Sequence, residues 1–336
     1  VVVTATTTKV SKMKQSVSVS GLDADQILQQ APTNAAEVLK SIPGIRSESS
    51  AGESNANITV RGVPIATGGA PYVQFQVDGL PVMQFGDIAF GNADGFVRFD
   101  NMIDYLEVVR GGSASTMATN SPGGVINLIS KTGELEGGSV GITKGIDFDL
   151  TRYDFDYGGQ LTEDTRFQLG GFYRTSESEK SIGYTAAEGS QFSANITKNL
   201  KNGYVRLNAR SLDDRTPTFL PVPTRVVNGT ITEDPRIDPR TAYFINPKIG
   251  RDFTRDRNDN IVASDPTQGV TVQSDSFGGE VSLDLENGWN LNNKFRSTDN
   301  SGRWIGMFSP GGVDTAANIA RNAGLVTDKS GAGKLY

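Results

Sequence analysis

The side chains that could do chemistry in this chain are carboxylates, cations, hydroxyls and aromatic rings, because its 336 residues include no histidine and no cysteine. This composition excludes a Ser-His triad, a thiol nucleophile, disulfides, and metal or haem sites that need imidazole or thiolate ligands. Asp and Glu occur close together in places, but none stands in a setting that separates a general acid or base from an ordinary strand residue. We therefore expect no enzyme activity, no resident metal and no cofactor.

Three charged residues stand inside apolar segments. Arg61 follows N-I-T-V, and Glu107 and Arg110 belong to I-D-Y-L-E-V-V-R-G-G. Charged side chains are usually exposed, so a solvated strand edge is the simplest position for each. If they are buried, each needs an opposite charge or hydrogen-bonding partners. They are therefore candidates for ion pairs.

Four phenylalanines are scattered over residues 83–100 without a helical or strand period: Phe85, Phe90, Phe96 and Phe99. Packing beneath a loop is the simpler role for any one of them. The functional alternative is stacking on a sugar face or a hydrophobic chelate.

Short helices and strands must position these residues. A helix over 23–30 has Asp23 available as its cap, and a second helix follows Thr33 or Asn34 and ends at Pro43-Gly44. Alternating and β-branched residues predict four strands. The strands lie over residues 57–63, 73–82, 105–109 and 125–129.

Four motifs occur in order along these elements, and together they resemble the plug domain of TonB-dependent outer-membrane receptors. The motifs are A-A-E-V-L-K-S-I-P-G-I, N-I-T-V-R-G, V-Q-F-Q-V-D-G-L-P-V, and I-D-Y-L-E-V-V-R-G-G followed by G-G-V-I-N-L-I-S-K-T. The last motif alone would also fit an edge hairpin of an ordinary α+β domain. The resemblance implies a plug that fills a β-barrel starting directly after it. It also implies that Arg61, Glu107 and Arg110 pair with charges on the barrel wall, and that the phenylalanine-containing loops approach a ligand.

The amino terminus, Val1, Val2, Val3, Thr4 and Ala5, is β-prone. A frayed terminal strand is the simpler interpretation. The segment V-V-T-A also resembles the TonB box, an extended peptide that pairs with an edge strand of the periplasmic energy-transducing protein.

From Gly137 the pattern changes to strands with one apolar and one polar face, as where Tyr153, Phe155 and Tyr157 alternate with Asp154 and Asp156. Soluble sandwiches alternate too. The links favour an outer-membrane barrel, since short links alternate with long ones. We count about seven strands, against the roughly 22 of plugged transporters, so the chain is expected to be the N-terminal part of a longer protein. The short links lie near residues 161–164, 198–203 and 286–288, and the longer ones near 145–150, 176–189, 211–276 and after 300.

The sequence thus predicts an α+β plug domain followed by antiparallel transmembrane β-barrel strands, with the barrel incomplete in this chain. We expect a TonB-box-like segment and linker over 1–20, the plug over 21–136, and barrel over 137–336 with a long extracellular loop at about 211–276.

The resemblance implies TonB-dependent, energy-coupled uptake of a scarce solute, with siderophore, cobalamin and oligosaccharide left open. Its partners would be a periplasmic TonB-type transducer, outer-membrane lipid and an extracellular ligand, with the plug facing the periplasm. The net charge of −6 argues against nucleic acid as a partner. A secreted β-rich adhesin or carbohydrate-binding protein would explain the aromatic residues and hairpins but not the ordered motifs. A β-sandwich glycoside hydrolase lacks a placed carboxylate pair.

Overall fold

The computed structural model describes residues 2–3, 10–11, 18–49, 52–63, 69–84, 87–88, 91–111, 118–219, 224–235, 237–243, 245, 247 and 251–306. The described residues up to Gly306 form one compact unit.

The N-terminal domain has the two predicted short helices, although the second ends at Leu39, before the predicted Pro43-Gly44. Helix α1 (Ala24–Gln30) begins with a capping box, in which Asp23 accepts from the Gln26 amide at 2.9 Å and Gln26 accepts from the Asp23 amide at 3.1 Å. Helix α2 (Ala35–Leu39) is capped by Asn34, which accepts from the Glu37 amide at 3.1 Å. Within the described residues, no helix has the length and apolarity needed to cross a membrane.

The strands of the N-terminal half are short. They are β1 (Val2–Val3), β2 (Val10–Ser11), β3 (Ser18–Asp23), β4 (Ile45–Glu48), β5 (Asn57–Val60), β6 (Val73–Val77), β7 (Leu80–Pro81), β8 (Asp87–Ile88), β9 (Gly91–Asn92), β10 (Ile103–Arg110) and β11 (Gly124–Ser130). A five-stranded sheet has the order β3-β10-β11-β6-β7, in which only β11 and β6 are parallel. The other strands pair as β1-β2, β4-β5 and β8-β9. We call β3 to β11 with the two helices the N-terminal domain.

The turn between β6 and β7 is the predicted D-G turn. Asp78 has φ 54° and Gly79 has φ 84°, and two consecutive residues with positive φ are the requirement of a type I′ hairpin turn. The core beside it joins helix and sheet, since Leu39 of α2 and Leu106 and Ile126 of the sheet are fully buried in one cluster.

The second half forms a seven-stranded antiparallel sheet, which we call the wall sheet; its strands pair in chain order. Its strands are β12 (Gly137–Lys144), β13 (Leu150–Thr162), β14 (Thr165–Ser176), β15 (Ala187–Leu200), β16 (Gly203–Thr216), β21 (Val270–Asp284) and β22 (Asn290–Trp304). The long link between β16 and β21 contains two hairpins, formed by β17 (Thr224–Val227) with β18 (Thr230–Glu233) and by β19 (Asp252–Arg255) with β20 (Ile261–Ser264).

The links between consecutive wall strands follow the predicted alternation only in part: links 163–164 and 201–202 are short and 177–186 and 217–269 are longer, but 145–149, expected to be long, is no longer than 285–289. The long link is shorter than the expected 211–276, because the ladder of β16 continues to Thr216 and that of β21 begins at Val270. Leu212, Asp214 and Thr216 are all buried, so the alternation of β16 continues through its polar end.

The two faces of the wall sheet differ as the alternation requires. On β13, Tyr153, Phe155 and Tyr157 are exposed, whereas Arg152 and Asp156 are buried. One face of the wall sheet thus packs on the N-terminal domain, and the other presents aromatic and aliphatic side chains outward.

Candidate functional site

The N-terminal domain meets the wall sheet at four buried charged residues, which we call the charge cluster: Glu53, Arg98, Arg174 and Asp214. Arg98 Nε donates to Asp214 Oδ2 at 2.7 Å, and Arg174 Nη2 donates to the same oxygen at 2.8 Å. Arg174 Nη1 also binds the Glu53 carboxylate. None of the four is more than 4% exposed. Two guanidinium groups and two carboxylates balance in charge, which is the condition for burying ions together.

A glycine lets the charge cluster form across the wall sheet. In the register of the strands, Gly189 of β15 lies between Arg174 of β14 and Asp214 of β16. A Cβ atom on Gly189 would come within 2.4 Å of Asp214 Oδ1. Any larger residue there would fill the space that the two side chains share.

The remaining donors of Arg98 are used inside the N-terminal domain. Its Nη2 donates to Ser54 Oγ at 2.7 Å, and its Nη1 donates to the carbonyl oxygens of Gly95 at 2.8 Å and Asp94 at 3.1 Å. Arg98 therefore ties the loop that carries Glu53 to the loop after β9, and both to the wall sheet.

A second contact between the N-terminal domain and the wall sheet is made by a side-chain amide and not by a charged group. Gln191 of β15 accepts from the Arg98 amide at 3.1 Å, and its Nε2 donates to Arg98 O at 3.0 Å and to Asp100 Oδ2 at 2.7 Å. Burial raises the pKa of Asp100, while the hydrogen bonds from Gln191 and the Met102 amide act in the opposite direction. Gln191 thus pairs with the loop backbone much as a neighbouring strand would.

Arg152 of β13 holds the same loop one residue further on. Its Nη2 donates to Phe99 O at 2.6 Å, while two hydrogen bonds of 2.7 and 2.8 Å bind it to Asp154. Its guanidinium carbon also lies 4.0 Å from the ring centroid of Phe172. These contacts fix the orientation of a cation that is 8% exposed.

Near the D-G turn the wall sheet binds main-chain carbonyls. Lys294 Nζ donates to Asp78 O at 2.9 Å. Arg296 of β22 donates to Val77 O at 3.2 Å and to Leu80 O at 2.9 Å, and it also binds Pro81 O. These contacts are anchors that depend on the backbone path and not on particular side chains.

A cavity of about 820 Å³ lies between the segment around Leu80 and strands β21 and β22. Phe96, Met83 and Trp304 give it apolar walls, and Lys294 and Arg303 also line it. Its mixed apolar and cationic lining suits an anionic ligand with an aromatic or aliphatic part.

Two of the four predicted ligand-contacting phenylalanines are described, and both pack in the core. Phe96 is 8% and Phe99 is 3% exposed. Phe96 also lines the large cavity. For Phe99 the wall sheet binds the carbonyl oxygen and not the ring, so the core role is the one that the structure supports. Phe85 and Phe90 lie outside the described residues.

Of the three residues predicted to pair with charges on the barrel wall, Arg110 has its hydrogen bonds elsewhere. Arg110 binds Pro43 O and donates to Ser20 Oγ at 2.8 Å, both inside the N-terminal domain, because β3 is its neighbouring strand. Burial and then the charge of Arg61 lower the pKa of Arg110, so these two cations lie near each other. Glu107 is fully buried in β10, and Arg61 is exposed. The wall pairing of Arg61 and Glu107 stays a prediction.

Only part of the predicted coupling segment is described. Val2 and Val3 form β1, which pairs antiparallel with β2. Val1, Thr4 and Ala5 lie outside the described residues.

No local sequence pattern singled out the charge cluster. Arg174 and Gln191 belong to the polar faces that alternation identified, so their direction was readable from the sequence. Their partners were not, because Glu53 lies 121 residues from Arg174 and Arg98 lies 93 residues from Gln191. The available signal was a glycine, Gly189, inside a strand whose neighbours carry an Arg and an Asp.

A sequence profile described as the TonB-dependent Receptor Plug Domain matches residues 10–125, which include both helices and Arg98. Residues 10–125 thus belong to the plug-domain family of TonB-dependent receptors, and the chain resembles TonB-dependent outer-membrane receptors over a longer span. Its N-terminal domain is the plug, its wall sheet is part of the barrel, and its place is the outer membrane. In such a barrel we expect the short links between strands on the periplasmic side and the long ones on the extracellular side.

Relatives and solved structures agree on this assignment. The Ferric enterobactin receptor PirA of Pseudomonas aeruginosa is 28% identical over 186 residues, which are 50% of this chain and 24% of that protein. The Probable TonB-dependent siderophore receptor PirA of Acinetobacter baumannii is 27% identical over 201 residues, 52% of this chain and 26% of that protein. The chain thus spans about a quarter of the length of these relatives.

Two solved structures share the fold. The alcaligin outer-membrane receptor FauA from Bordetella pertussis aligns with a TM-score of 0.59 at 17% identity, covering 90% of this chain and 42% of that one. The ferripyoverdine receptor of Pseudomonas aeruginosa, bound to ferripyoverdine, aligns with a TM-score of 0.59 at 18% identity, covering 87% of this chain and 35% of that one. At these identities the likeness establishes the fold only.

The outward face of the barrel strands gives a direct prediction. Phe155 is 40% exposed in the middle of β13, so Phe155→Arg places a charge in the bilayer and is expected to cost about 2–4 kcal/mol if the site is near the midplane. The yield of folded, heat-modifiable full-length receptor measures this loss. Val226→Arg, at an exposed position of the β17–β18 hairpin, is the control that should keep its yield. Equal yields for the two variants would contradict a lipid-facing Phe155.

Proposed function

We propose that the full-length protein takes up a ferric siderophore across the outer membrane, using energy that a periplasmic TonB-type transducer delivers. The names of its relatives support the siderophore class, since they refer to ferric enterobactin, alcaligin and ferripyoverdine receptors. Cobalamin and an oligosaccharide, which the motifs also allow, do not occur in these names. Extracellular loops and the upper plug would bind the ferric complex.

The charge cluster is the observation that carries this proposal. It joins both plug loops around Glu53 and Arg98 to two strands of the barrel wall, and its ions are closed off from water. Removing one partner from such a buried network costs about 3–5 kcal/mol, so the closed plug has a substantial barrier to leaving the wall. A solute as large as a ferric siderophore needs the plug to move. The work that an energized transducer does on the plug would overcome this barrier.

Transport assays in a receptor-deficient Gram-negative host test the proposal. We expect the full-length protein to give saturable uptake of radioactive iron from ferric enterobactin, and we expect that uptake to disappear when TonB is deleted. Labelled cyanocobalamin and maltodextrin are the matched alternative solutes. Uptake of either one without iron uptake would contradict the siderophore class. Iron uptake that persists without TonB would contradict energy coupling.

A further inference from the structure

A second cavity, of about 50 Å³, lies where the D-G turn of the plug faces strands β15, β16, β21 and β22. This volume exceeds the roughly 10–15 Å³ that one enclosed water requires. Its charged lining residues are Asp78, Arg206, Arg210, Glu280, Lys294 and Arg296. Four cations thus face two carboxylates, an excess of two positive charges.

The two carboxylates are already engaged. Glu280 accepts from Arg206 Nη1 at 3.2 Å and pairs with Lys294 Nζ at 3.3 Å. Asp78 accepts from the amide and the hydroxyl of Ser130, both at 2.9 Å. Neither carboxylate forms an ion pair with Arg210 or Arg296.

Those two arginines bind carbonyl oxygens instead. Arg296 holds the backbone of the β6–β7 hairpin, and Arg210 Nη2 donates to Phe96 O at 3.2 Å. Within the described part of the chain, Nε and Nη1 of Arg210 have no hydrogen-bond partner and no access to solvent. Asp100 is within electrostatic range of Arg210, but it receives its hydrogen bonds from Gln191 and the Met102 amide.

We propose that this cavity binds one small inorganic anion, held by the guanidinium group of Arg210 and faced by Arg296. Leaving a buried donor without an acceptor costs about 1–3 kcal/mol, and more for a charged group, so an anion there stabilises the closed state. Nε and Nη1 point away from each other in the planar guanidinium group. The anion therefore satisfies one of them, and an enclosed water, for which the cavity has room, satisfies the other.

The anion would lie between two barrel arginines and support the contacts that each of them makes with the plug. Arg210 holds the plug at Phe96 and Arg296 holds it at the β6–β7 hairpin. Neutralising their mutual repulsion lets both arginines keep these carbonyls at once. This role is independent of which solute the receptor transports.

Thermal unfolding of the full-length receptor in detergent tests the site. Chloride and phosphate are each titrated at constant ionic strength against gluconate, which is too large for the cavity. We expect one of them to raise the unfolding midpoint in a saturable way, as linkage to a site in the folded state requires. Arg210→Met should lose the shift, while Arg225→Met, at an exposed cation of the β17–β18 hairpin, should keep it. A shift with chloride alone or with phosphate alone identifies the kind of anion.

No shift with either anion, or equal shifts in both variants, would overturn the site. Should Arg210→Met fail to fold, crystals of the unmodified full-length receptor soaked in bromide or selenate provide the second measurement. An anomalous peak beside Arg210 supports the proposal. A carboxylate from a later part of the protein at that place, or water alone, contradicts it.

Discussion

Asp214→Ala is expected to lower the free energy of unfolding of the plug by about 3–5 kcal/mol, as the loss of one partner from a buried ionic network does. The substitution leaves Arg98 and Arg174 close together in a site without solvent, with Glu53 as the remaining carboxylate of the cluster. We expect the plug loops around these residues to detach before the barrel unfolds.

Detachment of the plug can be measured by thiol labelling, because the plug has no cysteine of its own. A single cysteine in place of Val108, which is buried in the plug, becomes reactive only when the plug opens. The urea concentration at half-maximal labelling should fall with Asp214→Ala. Asp213→Ala is the matched control, since Asp213 is the adjacent carboxylate on the exposed face of the same strand.

A double variant separates charge balance from lost packing. Arg98→Met with Asp214→Leu removes one charge of each sign and leaves the pair of Arg174 and Glu53 intact. We expect it to recover much of the stability that Asp214→Ala loses, since apolar replacement of a buried pair is often neutral. A double variant as unstable as the sum of its single changes would contradict the electrostatic account of the cluster.

Val3→Pro is expected to reduce energy-coupled uptake to the level of a host without TonB, while ligand still binds at the cell surface. Proline removes a backbone donor, and strand addition depends on backbone hydrogen bonds. Val3→Leu keeps both the donor and the extended preference, so it should transport normally. Uptake of labelled iron and binding at low temperature are the two measurements. Normal uptake by Val3→Pro would show that residues 1–5 are not the coupling segment.

Much of the fold was accessible from the sequence because its signals are local. Asp23 and Asn34 cap the two helices, the D-G turn has the required backbone angles, and period-two alternation placed Phe155 outward and Asp156 inward. These features depend on neighbours in the chain. The strand count followed from the same pattern.

The charge cluster was not accessible because it depends on register. Which barrel residue meets Arg98 is decided by the stagger of β14, β15 and β16 and by the path of the loop after β9. A shift of one residue would turn Asp214 to the outer face. Arg110 shows the opposite error: it was expected to pair with a charge on the barrel wall, but its hydrogen-bond partners lie in its own domain.

Barrel side chains that bind main-chain oxygen atoms of the plug affect which plug substitutions such a receptor can tolerate. Every amino acid, proline included, supplies a carbonyl oxygen, so the contacts of Arg296 at Leu80 and Pro81 place no demand on those side chains. The same holds where Arg152 binds Phe99 O. Substitutions in these plug segments can therefore accumulate without releasing the plug, provided that the backbone path is kept. The residues that must be kept are instead the basic residues of the wall. Substitutions that change ligand preference can therefore occur in the plug without weakening its attachment to the barrel.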